Sequence, residues 1–159
     1  GFEDLAAIRD VTDRPFSSHA ANLPLAKALG VPNVIVTNLN ELGGVRRTVE
    51  FVEACRVAGI GFRFHSGETG VASTAYLHVT AALEHIDDAS QTLFRWYGDD
   101  VIAGGPHVPR NGVVPVPTGP GLGIEVDREA LDRCHRRYLA EGVFPGADGA
   151  MYGQDFTRS

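Results

Sequence analysis

Only two cysteines, Cys55 and Cys134, occur in 159 residues. So thin a supply excludes a disulfide-stapled scaffold. Each thiol falls on the apolar stripe of a predicted helix, where it behaves as a small hydrophobe and not as half of a metal site. No apolar run approaches the roughly 20 residues that span a bilayer. At the N-terminus no basic segment leads into an apolar one, so the expectation is a soluble, cytoplasmic chain without a membrane partner. Basic residues are also scarce: 14 Lys and Arg face 20 Asp and Glu, a net charge of -6, with no basic cluster. That argues against a nucleic-acid surface and leaves a small molecule as the expected partner.

What is present suffices for a real core, since 43% of the residues are hydrophobic and 159 residues ordinarily make one domain. The chain opens inside a predicted helix, with Phe2, Leu5, Ala6 and Val11 on one face, as though it were part of something longer. After Asp13-Arg14-Pro15, the run Phe16 to His19 reads as a short strand. Asn22 caps a short helix from Leu23 to Leu29, closed by Gly30. Asn33 to Asn38 is β-branched without polar alternation, as in a strand buried on both faces. Gly43-Gly44 opens a helix from Val45 to Ala58, with Val45, Val49, Val52 and Cys55 predicted inward and Gly59 as its end.

Ile60, Phe62 and Phe64 mark a third strand that ends on His65, and Ser66, Gly67, Thr69 and Gly70 follow as small punctuating residues with room for a ligand. A helix start in that loop would aim backbone N–H groups toward whatever sits beside His65. The helix runs from about Val71 to Leu83, and Gln91 to Tyr97 is a fourth strand candidate. Strand and helix alternate without hairpin signals, which predicts right-handed crossovers, a parallel sheet and an α/β fold with a ligand at the C-terminal strand ends. Those ends carry His19, then Asn38 with Asn40 and Glu41, then His65 with Glu68, then the Gln91 to Arg95 segment.

Beyond Gly104 the style changes. Asn111-Gly112 is a hairpin signal flanked by proline-marked edge strands, and the Thr118 to Gly123 stretch reads as a structural turn and not a phosphate cradle. Asp127 caps a last helix from Arg128 to Ala140, with Leu131, Cys134, His135 and Tyr138 on one side. Residues 1–104 are therefore expected to form the strand-helix unit, 105–145 a closing hairpin and helix, and 146–159 a tail.

Several landmarks occur in a recognisable order: Val34 to Gly44 with its Asn-Glu-Leu-Gly-Gly turn, the helix from Val45 to Gly59, Phe64-His65-Ser66, and Gly112-Val-Val-Pro-Val-Pro-Thr-Gly-Pro-Gly-Leu-Gly-Ile-Glu-Val-Asp127. With them the sequence resembles the C-terminal half of the enolase-superfamily barrel (mandelate racemase/muconate lactonizing type), closest to glucarate dehydratase-like acid-sugar dehydratases. The resemblance implies half of a (β/α) barrel, with strands equivalent to the fifth to eighth. It implies a lyase that removes the proton alpha to a carboxylate and then expels water. The cofactor would be Mg2+, with most of its ligands on the missing half.

In this mapping His65 is the catalytic base, and Asn38 stands where an aspartate would orient it. His19 occupies a metal-ligand position, while Ser66, Glu68, Gln91 and Arg95 surround the sugar acid. Three departures stand out. Asn38 cannot stabilise an imidazolium as an aspartate does, His19 suits a transition metal better than magnesium, and Gln91 cannot ionise.

A half-barrel exposes two sheet edges, so a homo-oligomer or association with the missing N-terminal half is expected. Rival readings are a non-catalytic ligand-binding relative, a truncated inactive product, and a transition-metal hydrolase using His19 and His65. Arg63, like Arg95, could pair with a substrate carboxylate, but alternation with Phe62 and Phe64 leaves the face it occupies undecided.

Overall fold

A computed structural model describes residues 1–19, 21–66, 68–86, 88–92 and 99–142. Four strands, β1 (Ser17–Ser18), β2 (Val34–Thr37), β3 (Gly61–Ser66) and β4 (Gln91–Thr92), form one sheet in the order β1-β2-β3-β4. Every pairing is parallel, as the strand-helix rhythm predicts. The helices are α1 (Phe2–Arg9), α2 (Leu23–Leu29), α3 (Leu39–Leu42), α4 (Val45–Ala58), α5 (Gly70–Ala82) and α6 (Arg128–Glu141). Of the fourth strand candidate, Gln91 and Thr92 form β4, and its residues 93–97 lie outside the described residues, as does the 146–159 tail.

Local chemistry sets the helix limits. The Asn22 side chain accepts from Leu25 N–H at 3.1 Å, a proline occupies the first turn of α2, and Gly30 closes it at φ 68°. α1 stops at Arg9, which leaves Val11 outside the helix and 80% exposed. The four-residue α3, which sequence periodicity is too coarse to reveal, starts where Asn38 Oδ1 accepts from Glu41 N–H at 2.8 Å.

The core lies between the sheet and its helices, with Ile35, Val52, Cys55, Phe62, Phe64, Tyr76 and Val79 among its members. The inward stripe of α4 differs from the expected one. Val45 and Val49 are 51% and 38% exposed, whereas Thr48, Val52 and Cys55 are buried. Thr48 tolerates burial because its hydroxyl donates to Gly44 C=O at 3.0 Å. Burial pushes the Cys55 thiol up to about 11, and both cysteines are free, as expected. The face of α6 carrying Leu131 and Tyr138 is exposed at 39% and 53%, and only Ala130 is buried on that helix.

The segment after β4 is irregular. Asn111 and Gly112 both have positive φ in a turn bridged by Arg110 and Val113, but the flanking proline-rich residues form no strands beyond isolated bridges. This segment binds α5 along one stripe. Asp100 accepts the Gly70 N–H with both carboxylate oxygens at 2.9 and 2.8 Å. His107 Nε2 lies 2.7 Å from Thr74 Oγ1, and His78 Nε2 lies 3.0 Å from Leu122 C=O. Residues 70, 74 and 78 are spaced at i, i+4 and i+8, one above another on a helix. A methyl group at Gly70 would come within 2.5 Å of Ile102 Cδ1, so the close approach needs glycine there.

Candidate functional site

Side chains directly across parallel strands share a face, and neighbours along a strand alternate. Ser17 pairs with Val34, Val34 with Gly61, and Val36 with Arg63. Ile35 pairs with Phe62 and Thr37 with Phe64, on the helix side. Ser17, His19, Gly61, Arg63 and His65 therefore stand on the opposite face, which settles the side on which Arg63 lies. His65 and Gln91 are direct cross-strand partners on it.

The sheet thus gathers the predicted rim. The rings of His19 and His65 lie 5.0 Å apart, tilted by 55°, at the C-terminal ends of β1 and β3. His65 is half-buried and His19 exposed, a difference that follows from the edge position of β1. Gln91 is exposed beside His65. Ser66 belongs to β3, paired with Thr92. Arg95 lies outside the described residues.

Asn38 and Glu68 have more definite surroundings. The Asn38 side-chain oxygen is committed to the α3 N-cap through Glu41 N–H, the turn-satisfying role asparagine commonly plays. Glu68 Oε1 accepts from Tyr76 O–H at 2.9 Å and from Asn40 Nδ2 at 3.4 Å. Burial, then the Glu68 hydrogen bond and charge, push the Tyr76 phenol well above its ordinary value, so it remains a proton donor to that carboxylate. Thr37 Oγ1 donates to Glu41 Oε2 at 2.5 Å.

The N-terminus of α5 does not offer its first N–H to a ligand as the sequence suggests, because the buried Asp100 carboxylate takes it. Asp100 is thirty residues away in sequence, in a stretch with no periodic signal, and only the fold joins the two. Tyr76 could have been noticed, since it is the one residue with a polar tip on an otherwise small apolar helix face.

Magnesium finds no ready donor set in this arrangement. Among the described residues no group of three His, Cys, Asp or Glu side chains converges to hold an ion. The closest approach, His19 with His65, offers imidazole nitrogens to a cation that prefers oxygen. The residues described here do not form a magnesium site on their own. Two imidazoles can instead move protons at one point of the rim, where a carboxylate (Glu68) fixed by a phenol stands in the following loop.

Known proteins share this architecture. Residues 4–130 match the family model "Enolase C-terminal domain-like". A Streptomyces coelicolor protein described as "Probable glucarate dehydratase" is 30% identical over 136 residues, covering 85% of this chain and 30% of that protein. An enolase from Mycobacterium smegmatis complexed with tartrate superposes with a TM-score of 0.84 at 26% identity, over 99% of this chain and 40% of that one. An enolase from Pseudomonas fluorescens with bound magnesium, potassium and tartrate gives 0.81 at 27% identity, over 90% and 35%. The chain therefore spans between about a third and two fifths of the length of these proteins.

Proposed function

Because the chain belongs to the enolase C-terminal domain-like family, we propose that within a full-length protein it supplies the proton-transfer half of an acid-sugar dehydratase site. The observation that carries this reading is the approach of His19 and His65 to 5.0 Å at the C-terminal ends of β1 and β3, the two parallel strands that flank β2. The glucarate dehydratase likeness and the tartrate in two structural relatives favour a hydroxy-acid substrate.

In this reading His65 takes the proton from the carbon alpha to a carboxylate. The imidazolium so formed then gives a proton to the departing beta hydroxyl, which leaves as water. His19 lies against the same ring and, on the exposed edge, shields one side of it from bulk solvent. Gln91, the strand partner of His65, and the Ser66 and Glu68 loop hydrogen-bond the sugar hydroxyls, and Arg95 meets an acid group. Tyr76 holds Glu68 in place for this role. The divalent ion that would stabilise charge on the carboxylate, Mg2+ as in the Pseudomonas relative, is left to ligands outside the described residues. Residues 1–104 form the partial barrel and 105–145 its closing segment, and the open edges at β1 and β4 join the rest of the barrel or a second copy.

A panel of aldarates and aldonates, incubated with magnesium and the full-length protein in deuterium oxide, tests this. Alpha-proton exchange and a 2-keto product are expected, with His65→Gln lowering the rate by about 10² to 10⁴-fold. No exchange with any acid sinks the dehydratase reading.

One observation supports a second reading, a non-catalytic binding relative. Asn38 stands where the resemblance expects the histidine's carboxylate, and its oxygen serves α3. Tight tartrate binding without exchange would favour that alternative.

A further inference from the structure

Tyr76 is buried on α5, and its ring packs on Phe64 at 5.0 Å. Packing alone would be met by phenylalanine. The hydroxyl adds contacts that a bare ring cannot make: it donates to Glu68 Oε1 at 2.9 Å, and the Leu39 backbone, at the start of α3, hydrogen-bonds the same phenol. Asn40 Nδ2, also on α3, reaches that Glu68 oxygen at 3.4 Å, from 28 residues away in sequence.

Glu68 is held through its backbone as well. Ser73 Oγ donates to the Glu68 C=O at 3.0 Å, and Ser73 lies three residues before Tyr76 on the same face of α5. One helix face therefore holds both the main chain and the carboxylate of Glu68. Facing it, the turn after β2 is internally tied, with Asn38 Oδ1 accepting from Glu41 N–H and Thr37 Oγ1 donating to Glu41 Oε2. Each side is a formed unit, and the hydrogen bonds that run from one to the other pass through the Tyr76 hydroxyl and the Glu68 carboxylate.

We propose that Tyr76 is a positioning residue for the rim: its hydroxyl, acting through Glu68 and Leu39, fixes the turn after β2 against the start of α5, so that a ligand meets one edge of set width and not two segments that move separately. The inference rests on the acid-sugar reading only for what that edge binds. The coupling between the two segments is a property of the fold and stands apart from any reaction.

The test is hydrogen exchange on the full-length protein, read at the amides that close α3, those of Leu42, Gly43 and Gly44. Tyr76→Phe, which keeps the ring, should speed exchange there about threefold to tenfold, the worth of one hydrogen bond, and move Val52 in α4 by less than about twofold. Glu68→Ala should match it. Glu68→Gln, which keeps an acceptor for the phenol, should bring the rates back near those of the wild type. Unchanged α3 rates in Tyr76→Phe, an equal rise at every amide, or a Glu68→Gln protein as fast as Glu68→Ala overturns the proposal and leaves Tyr76 as a core ring with a satisfied hydroxyl. Should Tyr76→Phe fail to fold, the Glu68→Ala and Glu68→Gln pair decides. Calorimetric titration with tartrate separates this outcome from that of the acid-sugar reading. A wild type that binds no tartrate removes that reading and leaves the exchange rates to decide the coupling; where tartrate binds, Tyr76→Phe should weaken it about threefold or more, and an unchanged affinity overturns the positioning role.

Discussion

On β3, Phe62 and Phe64 are 1% and 0% exposed, whereas Arg63 and His65, each one residue further along, are half-buried. The phenylalanine face is held by many partners at once. Phe62 meets Phe64 edge-on at 5.1 Å and Phe51 at 6.1 Å, and Phe64 meets Tyr76 at 5.0 Å. On the other face the contacts are of a different kind, with a hydrogen bond from Arg63 to Ser17 and a ring contact between the two histidines. A strand so divided presents a packed face and a polar face, so a change on one should register weakly on the other.

The largest effect that could sharpen this contrast is Phe64→Ala. Emptying a fully enclosed aromatic site should cost about 3–5 kcal/mol in urea unfolding. His65→Gln, one position beyond Phe64 but on the opposite face of the strand, should cost within about 0.5 kcal/mol. A His65→Gln loss comparable to that of Phe64→Ala would break the contrast and make the histidine face a second core.

Asp100→Ala comes next. It strips the Gly70 N–H of its buried acceptor and should cost about 1–3 kcal/mol, with Asp100→Asn recovering part through one oxygen. The measurement is again urea unfolding, read beside hydrogen exchange at the start of α5. Unchanged exchange there would show that the cap is dispensable.

The smallest effect concerns His107. Burial holds its imidazole below the ordinary histidine value, and the Asp100 charge pulls weakly the other way. The unfolded chain therefore takes up this proton at higher pH than the folded one. Stability from this group is complete above about pH 6.5 and is lost as pH falls below that toward the folded value. Thr74 Oγ1 already donates to Gly70 C=O, so Nε2 is the donor in the His107 contact and the ring can stay neutral there. His107→Gln should flatten the acid side of the stability curve, and an unchanged slope would show that the ring's burial has no energetic weight.

Much of this was legible in the residues because the signals were local. Asn22 and Gly30 bracket α2, Gly44 and Gly59 bracket α4, and the β-branched run at β2 marks a strand with both faces covered. The histidine rim was legible because strand ends can be located without knowing the partners. The misjudged stripe of α4 has a plain cause: Thr48 satisfies its own hydroxyl on the preceding turn and so passes for a core residue, leaving Val45 and Val49 outside. α3 spans a single turn, below the length at which periodicity speaks. Asp100 was invisible as a cap because its partner is distant in sequence. The face taken by Arg63 needed the register with Val36, which no single strand contains.

The contacts at Gly70, Thr74 and His78 have a mechanical implication. They moor α5 on the side away from the sheet, so the helix that follows β3 is held from two directions, by the sheet on one side and by the later segment on the other. Slack introduced anywhere between Asp100 and Leu122 would loosen α5, and with it Tyr76, whose hydroxyl donates to Glu68. Substitutions there would disturb the Tyr76–Glu68 contact without ever coming near it.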